Sequence, residues 1–342
     1  MPGNELIDSE AIFAPLNTFR RIGLAVSGGS DSLALMLLAA DYARRNNAHD
    51  RFVVYSVDHG LRPEAADEVG FVLAMAAQYG LVARGLRWEG EKPSTGIQQA
   101  ARAARYRLIG VAMAQDGVEI LVTAHHLGDQ AETVLMRLAH GSGVEGLRGM
   151  DYFAEVDSVM LVRPLLGIER AQLARVVAAA GLASAADPSN IDATYERVRW
   201  RQMMPPLAAM GLDARRLARF AERMRDADEA LEEMAATIAV DHDEMTGGRR
   251  ISREALRRAP RAVAIRALGN VLRIVGAGAK AHDLAPVEAL VDRLRSDPAL
   301  KRTSLHACLI SSDGETVVVA PEPGRAAKPR PDGKALRTVT RN

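Results

Sequence analysis

The sequence predicts an α/β protein: a parallel sheet covered by helices on both faces over residues 1–212, followed by a mainly helical region with a small β-hairpin over 213–320. Three observations carry this. Short apolar runs alternate with stretches of helical spacing and are joined by short links, the pattern of a parallel sheet. Polar clusters fall where a strand gives way to a helix, at 27–32, 58–62 and 125–132, and ligands of open parallel sheets sit beyond the carboxyl ends of the strands. Past residue 212 the texture changes to long helices rich in arginine and alanine.

The totals narrow the class. With 48% hydrophobic and 25% charged residues, the 342-residue chain has an ordinary globular composition, long enough for two domains. A net charge of +1 means that a nucleic-acid partner can be argued only from local clusters. The single cysteine, Cys308, excludes a disulfide framework within the chain and any Cys-x-x-Cys metal site. No apolar run has transmembrane length and no basic-then-apolar leader opens the chain, so a cytoplasmic protein without a membrane partner is expected.

After a short lead-in with one helical turn near 11–19, Ile22 to Val26 forms a buried strand and Asp31 to Tyr42 a helix with Leu33, Met36, Leu37 and Ala40 on one side. Between them lie Ser27, Gly28, Gly29 and Ser30. Paired glycines let consecutive N–H groups converge on one anion, and the following helix points its positive end at the same spot. Ser27, Ser30 and Ser32 add hydroxyls, so 27–32 is a phosphate cradle. No Gly-Lys-Ser/Thr closes it and no Gly-x-Gly-x-x-Gly is present. Asp31 would repel phosphate by itself; it makes sense as a Mg²⁺ ligand, since that ion takes one or two carboxylates plus phosphate oxygens.

A second strand, 51–57, ends in Asp58-His-Gly-Leu-Arg62, and an alanine-rich helix covers 63–79. A third strand spans 82–86 and a helix 96–114, where Arg102 and Arg105 share one face and can meet a polyphosphate. A fourth strand, 119–124, opens into His125, His126, Asp129 and Glu132, an unusual density of polar groups for a structural cap. The strand 159–166 enters a proline turn, a helix covers 169–180, and Asp187 to Arg201 carries further polar positions. Met203-Met-Pro-Pro206 predicts a helix break and the domain boundary. Between 196 and 225 lie Arg197, Arg199, Arg201, Arg215, Arg216, Arg219, Arg223 and Arg225 beside Trp200, a basic strip suited to an RNA backbone. A helix over 217–239, a Gly247-Gly248 turn, a strand at 250–252 and a hairpin pairing 306–311 with 316–320 follow, with Arg249, Arg250, Arg253, Arg257, Arg258, Arg261 and Arg266 as further contacts. Residues 321–342 read as a disordered, basic, proline-rich tail.

Ser27 to Ser32 resembles the SGGxDS element of the PP-loop ATP pyrophosphatases, which cleave ATP between its α- and β-phosphates and adenylate a carbonyl oxygen. Asp58 to Arg62, the Arg-x-x-Arg-Tyr element ending at Tyr106, Thr123 to Thr133, and Asp187 to Arg201 after an Arg163-Pro-Leu-Leu166 turn resemble, in order, motifs of one branch, the tRNA(Ile)-lysidine synthetases. The likeness spans 22–212 and departs twice: Gly128 stands where the branch carries an acid, and Val198 where it carries asparagine. It implies a Rossmann-like PP-loop fold, ATP and Mg²⁺ as cofactors, and ligation of L-lysine to C2 of the wobble cytidine of a CAU-anticodon tRNA(Ile). By this resemblance Ser27, Gly28, Gly29, Ser30, Asp31 and Ser32 bind ATP, and Asp31 and Asp129 hold Mg²⁺. Arg105 meets the charge that develops as the α–β bond breaks, and His125 orients the base. Glu132 is a candidate for the lysine amine. A PP-loop tRNA thiolase would need cysteine pairs, and an amidotransferase-type synthetase an ammonia-generating domain. A non-catalytic nucleotide sensor is the alternative from another class. The oligomeric state stays open, a homodimer among the options.

Overall fold

A computed structural model of the chain describes residues 7–182, 194, 196–276, 284–297, 300 and 302–322. Most of the motif at 187–195 and the tail from 323 onward lie outside the described residues. The chain divides into two compact units, one of residues 1–141 and 146–223, the other of 142–145 and 224–342.

The first unit begins with α1 (Ser9–Phe13) and a single 3₁₀ turn. The sheet motif then runs β1 (Ile22–Ala25), α2 (Ser30–Asn46), β2 (Phe52–Asp58), α3 (Ala65–Gln78), β3 (Val82–Arg87), α4 (Ile97–Asp116), β4 (Ile120–Val122), α5 (Leu127–Ala139). It closes with α6 (Val144–Leu147), β5 (Phe153–Val156), β6 (Val159–Val162), α7 (Arg170–Ala179), α8 (Glu196–Ala209) and α9 (Ala214–Ala236), the last crossing into the second unit's residues. The sheet order is β3-β2-β1-β4-β6-β5, parallel except for the β5 edge, with Leu24 in register between Val54 and Val122. Strand order reverses between β1 and β4, so the cradle after β1 and the polar cluster after β4 emerge side by side.

Alternation along the strands splits the core into two layers. Ile22, Leu24, Phe52, Val54, Ile120 and Val122 face α2, α3 and α7. Val53, Tyr55 and Leu121 face Tyr106, Ile109 and Met113 of α4. Each fully buried side chain of this size contributes roughly 1.5–3 kcal/mol, and the strands read as continuous apolar runs because both faces are covered. A third cluster joins Ala131, Val134 and Leu135 of α5 to Trp200, Met204 and Leu207 of α8 and Leu217 of α9.

That cluster explains two corrections. The prolines predict a break at 203–206, but α8 continues through Pro205 and Pro206. Met204 and Leu207 on either side are packed against α5, and Met210 N–H closes the turn on Pro206 O at 3.2 Å, so tertiary contact outweighs the two lost backbone bonds. Trp200 belongs to the same packing and donates from Nε1 to Glu196, so it is no open stacking platform.

In the second unit β7 (Val240–Asp243), β8 (Gly248–Ser252), β9 (Thr303–Leu305), β10 (Cys308–Ser312) and β11 (Thr316–Pro321) form an antiparallel sheet of order β7-β8-β11-β10-β9. The hairpin expected at 306–320 is its β10–β11 pair, with Ser312 opposite Val317. Ile251, Ile310, Val317 and Val319 pack against Leu268 and Leu272 of α11 (Arg261–Val275) and Leu290 and Leu294 of α12 (Leu284–Ser296), while α10 (Arg253–Arg258) follows β8 directly.

Candidate active site

Two helices start side by side at the carboxyl edge of the sheet, and their starts are built differently. At α2, Gly28 adopts φ +82°, a left-handed conformation open to glycine, and Gly29 is the N-cap. Gly29 offers no side chain to occupy the first N–H groups of the helix, so they stay directed at whatever lies in front. Ser32 is turned inward: its Oγ accepts from Ser27 N at 3.1 Å and donates to Gly29 O at 2.9 Å. It braces the loop instead of serving as the free hydroxyl that its spacing predicts. Ser27, exposed, and Ser30, at the helix start, keep that possibility.

At α5 the start is closed. His126 is the N-cap, and its Nδ1 accepts from Gly128 N at 2.9 Å and Asp129 N at 3.4 Å, while Asp129 Oδ2 accepts from His126 N at 2.9 Å. With Nδ1 accepting, the neutral ring carries its proton on Nε2, which lies 3.6 Å from both Asp31 Oδ2 and Asp129 Oδ2. The buried imidazole therefore stands between the two acids. Gly128 makes room for it, since a Cβ there would come within 2.8 Å of His126 Cε1.

The carboxylates have unequal freedom. Burial would raise Asp129, but the neighbouring His126 ring, the charge of Arg197 and the His126 N–H outweigh it and hold this carboxyl below its usual range. Its Oδ1 meets Arg197 at 3.2 Å and Arg201 at 3.8 Å. Asp31 Oδ1 is buried and accepts no hydrogen bond, with Arg170 Nε 3.6 Å away. An orphaned carboxylate oxygen in front of an uncapped helix start suits a hard cation shared with phosphate oxygens. Among the described residues no group of three or more histidine, cysteine or acidic side chains is arranged to hold a metal by itself, so such an ion would lean on the nucleotide.

Glu132 lies in the second turn of α5, not the first, and is almost fully buried. Its oxygens accept from Arg197 Nε at 2.9 Å and Arg201 Nε at 2.8 Å. Both oxygens are thus committed to a clamp between α5 and α8, which removes Glu132 as a ligand for the lysine amine. It also turns Arg197 and Arg201 inward, away from the basic strip. Arg215 pairs with Glu169 and Arg216 with Asp213, leaving that strip thinner than its sequence suggests. In the second unit Arg253 donates to the Leu294 carbonyl and Arg266 bonds Asp228, so these two serve the fold.

His125 points elsewhere than its neighbour: Nδ1 is 2.8 Å from Thr123 Oγ1, and burial pushes its protonation down to about 4 despite the pull of Asp129. The charge of Arg102 also reaches it, although Arg102 itself lies over the Tyr106 ring at 5.0 Å. Arg105, half-buried on the same helix, bonds His59 at the end of β2. Arg163, at the end of β6, is buried, donates to Asp151 O at 2.8 Å and keeps Nε without a partner. Sequence reasoning named His126 and Arg163 without giving them a role, passed over Arg170, and did not foresee the inward turn of Arg197 and Arg201. Only the four-residue spacing of the last two pointed that way.

Residues 5–208 match the model of the PP-loop domain. The tRNA(Ile)-lysidine synthase of Rhodopseudomonas palustris is 43% identical over 336 residues, covering 94% of this chain and 96% of its own. The chain belongs to the tRNA(Ile)-lysidine synthase family. A second member, from Bradyrhizobium sp., is 40% identical over 340 residues, covering 93% and 94% of the two chains. Among solved structures, the U34-tRNA thiolase NcsA of Methanococcus maripaludis, determined with its 4Fe-4S cluster, superposes with a TM-score of 0.53 at 16% identity, over 64% of this chain and 78% of its own. That likeness speaks for the PP-loop fold alone. At the two positions where the sequence departs from the motif it resembles, Gly128 leaves the space that the His126 ring occupies, and Val198 is buried.

Proposed function

We infer that this chain is an ATP-dependent ligase that joins L-lysine to the wobble cytidine of tRNA(Ile), and the near full-length match to lysidine synthases carries that reading. The C2 carbonyl oxygen of the base attacks the α-phosphate of ATP and pyrophosphate leaves. The lysine ε-amine then adds at C2, its proton is lost, and the C2–O bond breaks to release AMP. Lysine itself is the nucleophile, so no covalent side chain is needed.

The residue assignments are our proposal. Ser27 to Ser30 and the uncapped start of α2 receive the phosphates, with Ser32 bracing the loop. Asp31 and Asp129 would hold Mg²⁺, which supplies charge neutralisation on the polyphosphate. The cation of Arg105 offsets charge as pyrophosphate departs. His125, kept neutral, orients the base by its ring, and Thr123 fixes that ring. We further propose that the tRNA carries a CAU anticodon, so that modification moves its reading from AUG to AUA. Residues 213–320 add tRNA contacts through exposed arginines such as Arg257 and Arg258, and the protein works in the cytoplasm. No helix among the described residues is long and apolar enough to cross a membrane. The thiolase reading is disfavoured because Cys308 is buried, with its thiol pushed up to about 11 by burial.

The test is a nucleoside digest after incubation with ATP, Mg²⁺, L-lysine and a CAU tRNA(Ile) transcript. A lysine-modified cytidine in the mass spectrum, dependent on ATP and lysine, is the expected result. AMP release without that product would sink the lysidine reading and leave only the PP-loop chemistry.

A further inference from the structure

Arg105 differs from the other inward-facing arginines in what it meets. Arg197 and Arg201 bond carboxylates, and Arg163 a backbone carbonyl. Arg105 donates from Nη2 to His59 Nε2 at 3.0 Å, with Nε 3.4 Å from the same atom. Among the described residues no carboxylate forms an ion pair with it. We propose that His59 is a positioning residue for the adenylation step, fixing the Arg105 guanidinium toward the ATP phosphates through an acceptor that carries no charge. This rests on the role proposed above for Arg105.

A carboxylate would orient the guanidinium equally well, but it would cancel the charge that a departing pyrophosphate needs. A neutral imidazole gives direction without that cancellation. Since Arg105 can only donate, Nε2 must accept and the ring proton sits on Nδ1. Nδ1 is buried and has no partner of its own. Burial first, then the charges of Arg105 and Lys92, hold His59 protonation down to about 4 against the opposing pull of Asp58. The ring therefore remains an acceptor at any working pH.

Its placement is over-determined. The imidazole stands edge-on to Trp88 at 6.5 Å, and Lys92 Nζ lies 4.1 Å over the other ring system. Asp58 Oδ1 accepts from Gly60 N at 2.7 Å, and Gly60 turns the chain at φ +61°. β2, which delivers His59, pairs with β1, which delivers the cradle. None of these contacts needs His59 Nε2, which leaves the bond to Arg105 as its use.

The experiment compares H59L, H59Q, R105A and the double variant H59L/R105A in the full chain, reading AMP release and lysine transfer to tRNA with melting temperatures alongside. Leu and Gln fill similar space, and only Gln keeps an acceptor. H59L should lower kcat about 10- to 100-fold with KM for ATP within about threefold. H59Q should recover to within about threefold of wild type, and the double variant should be no slower than R105A alone. Wild-type kcat in H59L, equal loss in H59L and H59Q, or effects that multiply in the double variant would each overturn the proposal. R105A at wild-type speed would instead remove the Arg105 assignment beneath it, whereas slow R105A beside normal H59L removes only the role of His59.

Discussion

The two units place their buried polar groups differently. In the parallel-sheet unit Asp58, Thr123, His126, Gln130, Glu132 and Arg163 are buried together along one edge, and beside them Arg163 Nε, Asp31 Oδ1 and His59 Nδ1 have no internal partner. In the C-terminal unit the buried Asp228, Asp243 and Arg253 lie apart, and each is answered from inside: by Arg266, by Thr246, and by the Leu294 carbonyl; His306 Nε2, far from them in the sequence, is the exception among the described residues. A polar group that is buried and fully answered specifies a fold. A polar atom that is buried and left open within a cluster of others, as at the sheet edge, is placed to meet a ligand.

Removing an open group should cost activity and little stability. D31A should lower AMP release by about 10³-fold or more with a melting temperature near that of wild type, because it deletes the charge that faces the phosphates. Full activity in D31A would erase the distinction between the units. Removing an answered group should do the reverse. R266M removes the Arg266 cation from Asp228, 4% exposed, and should cost about 3 kcal/mol in urea unfolding while KM for ATP stays put. The double variant R197M/R201M strands Glu132, 3% exposed, at similar cost, but should also slow turnover, since Asp129 shares the clamp.

Acid should act mainly on the sheet unit. His59 and His125 protonate near 4 when folded and near 6.5 when unfolded. Between those values the unfolded chain binds more protons, so stability is full above about 6.5 and falls as pH drops toward 4, on the order of 1–3 kcal/mol by pH 5. Urea titrations at pH 7 and 5 measure it, and a flat profile would mean that neither ring is held neutral.

Glycine-to-alanine changes sharpen the contrast by sign. Gly269, inside α11, has nothing within 4 Å of a new Cβ, so G269A should gain up to about 1 kcal/mol from helix propensity. G128A displaces the capping ring and should lose about 1 kcal/mol instead. Smallest of all, R257A/R258A removes two exposed pairs to Glu254 and should shift stability by less than about 0.5 kcal/mol.

The sheet and the cradle were legible because their signals are local. A glycine must occupy φ +82° at residue 28, and doubly buried strands leave unbroken apolar runs. β5 was not, because its turn to β6 places Asp157 and Ser158, not glycine, at positive φ. β7 was hidden by Asp241 and His242, exposed polar residues of an edge strand, and by the polar Asp243. In the site, two adjacent histidines are equivalent on paper. Which of them faces the acids depends on a cap and on the room left by Gly128, three-dimensional facts that no spacing encodes. The same holds for Arg197 and Arg201, whose partner Glu132 lies 65 and 69 residues away.

That separation has a consequence for how the protein is made. Glu132 leaves the ribosome well ahead of the two arginines, an interval of roughly 3–14 s at 5–20 residues per second. Throughout it α5 carries a carboxylate destined for burial with no counter-charge, and the helices α8 and α9 that cover its apolar face are still to come. Nascent chains stalled before α8 should be cut by protease at α5 and spared at α2. The helix that bears Asp129 thus waits for one of the unit's latest helices, and the enzyme becomes competent only when the clamp closes behind it.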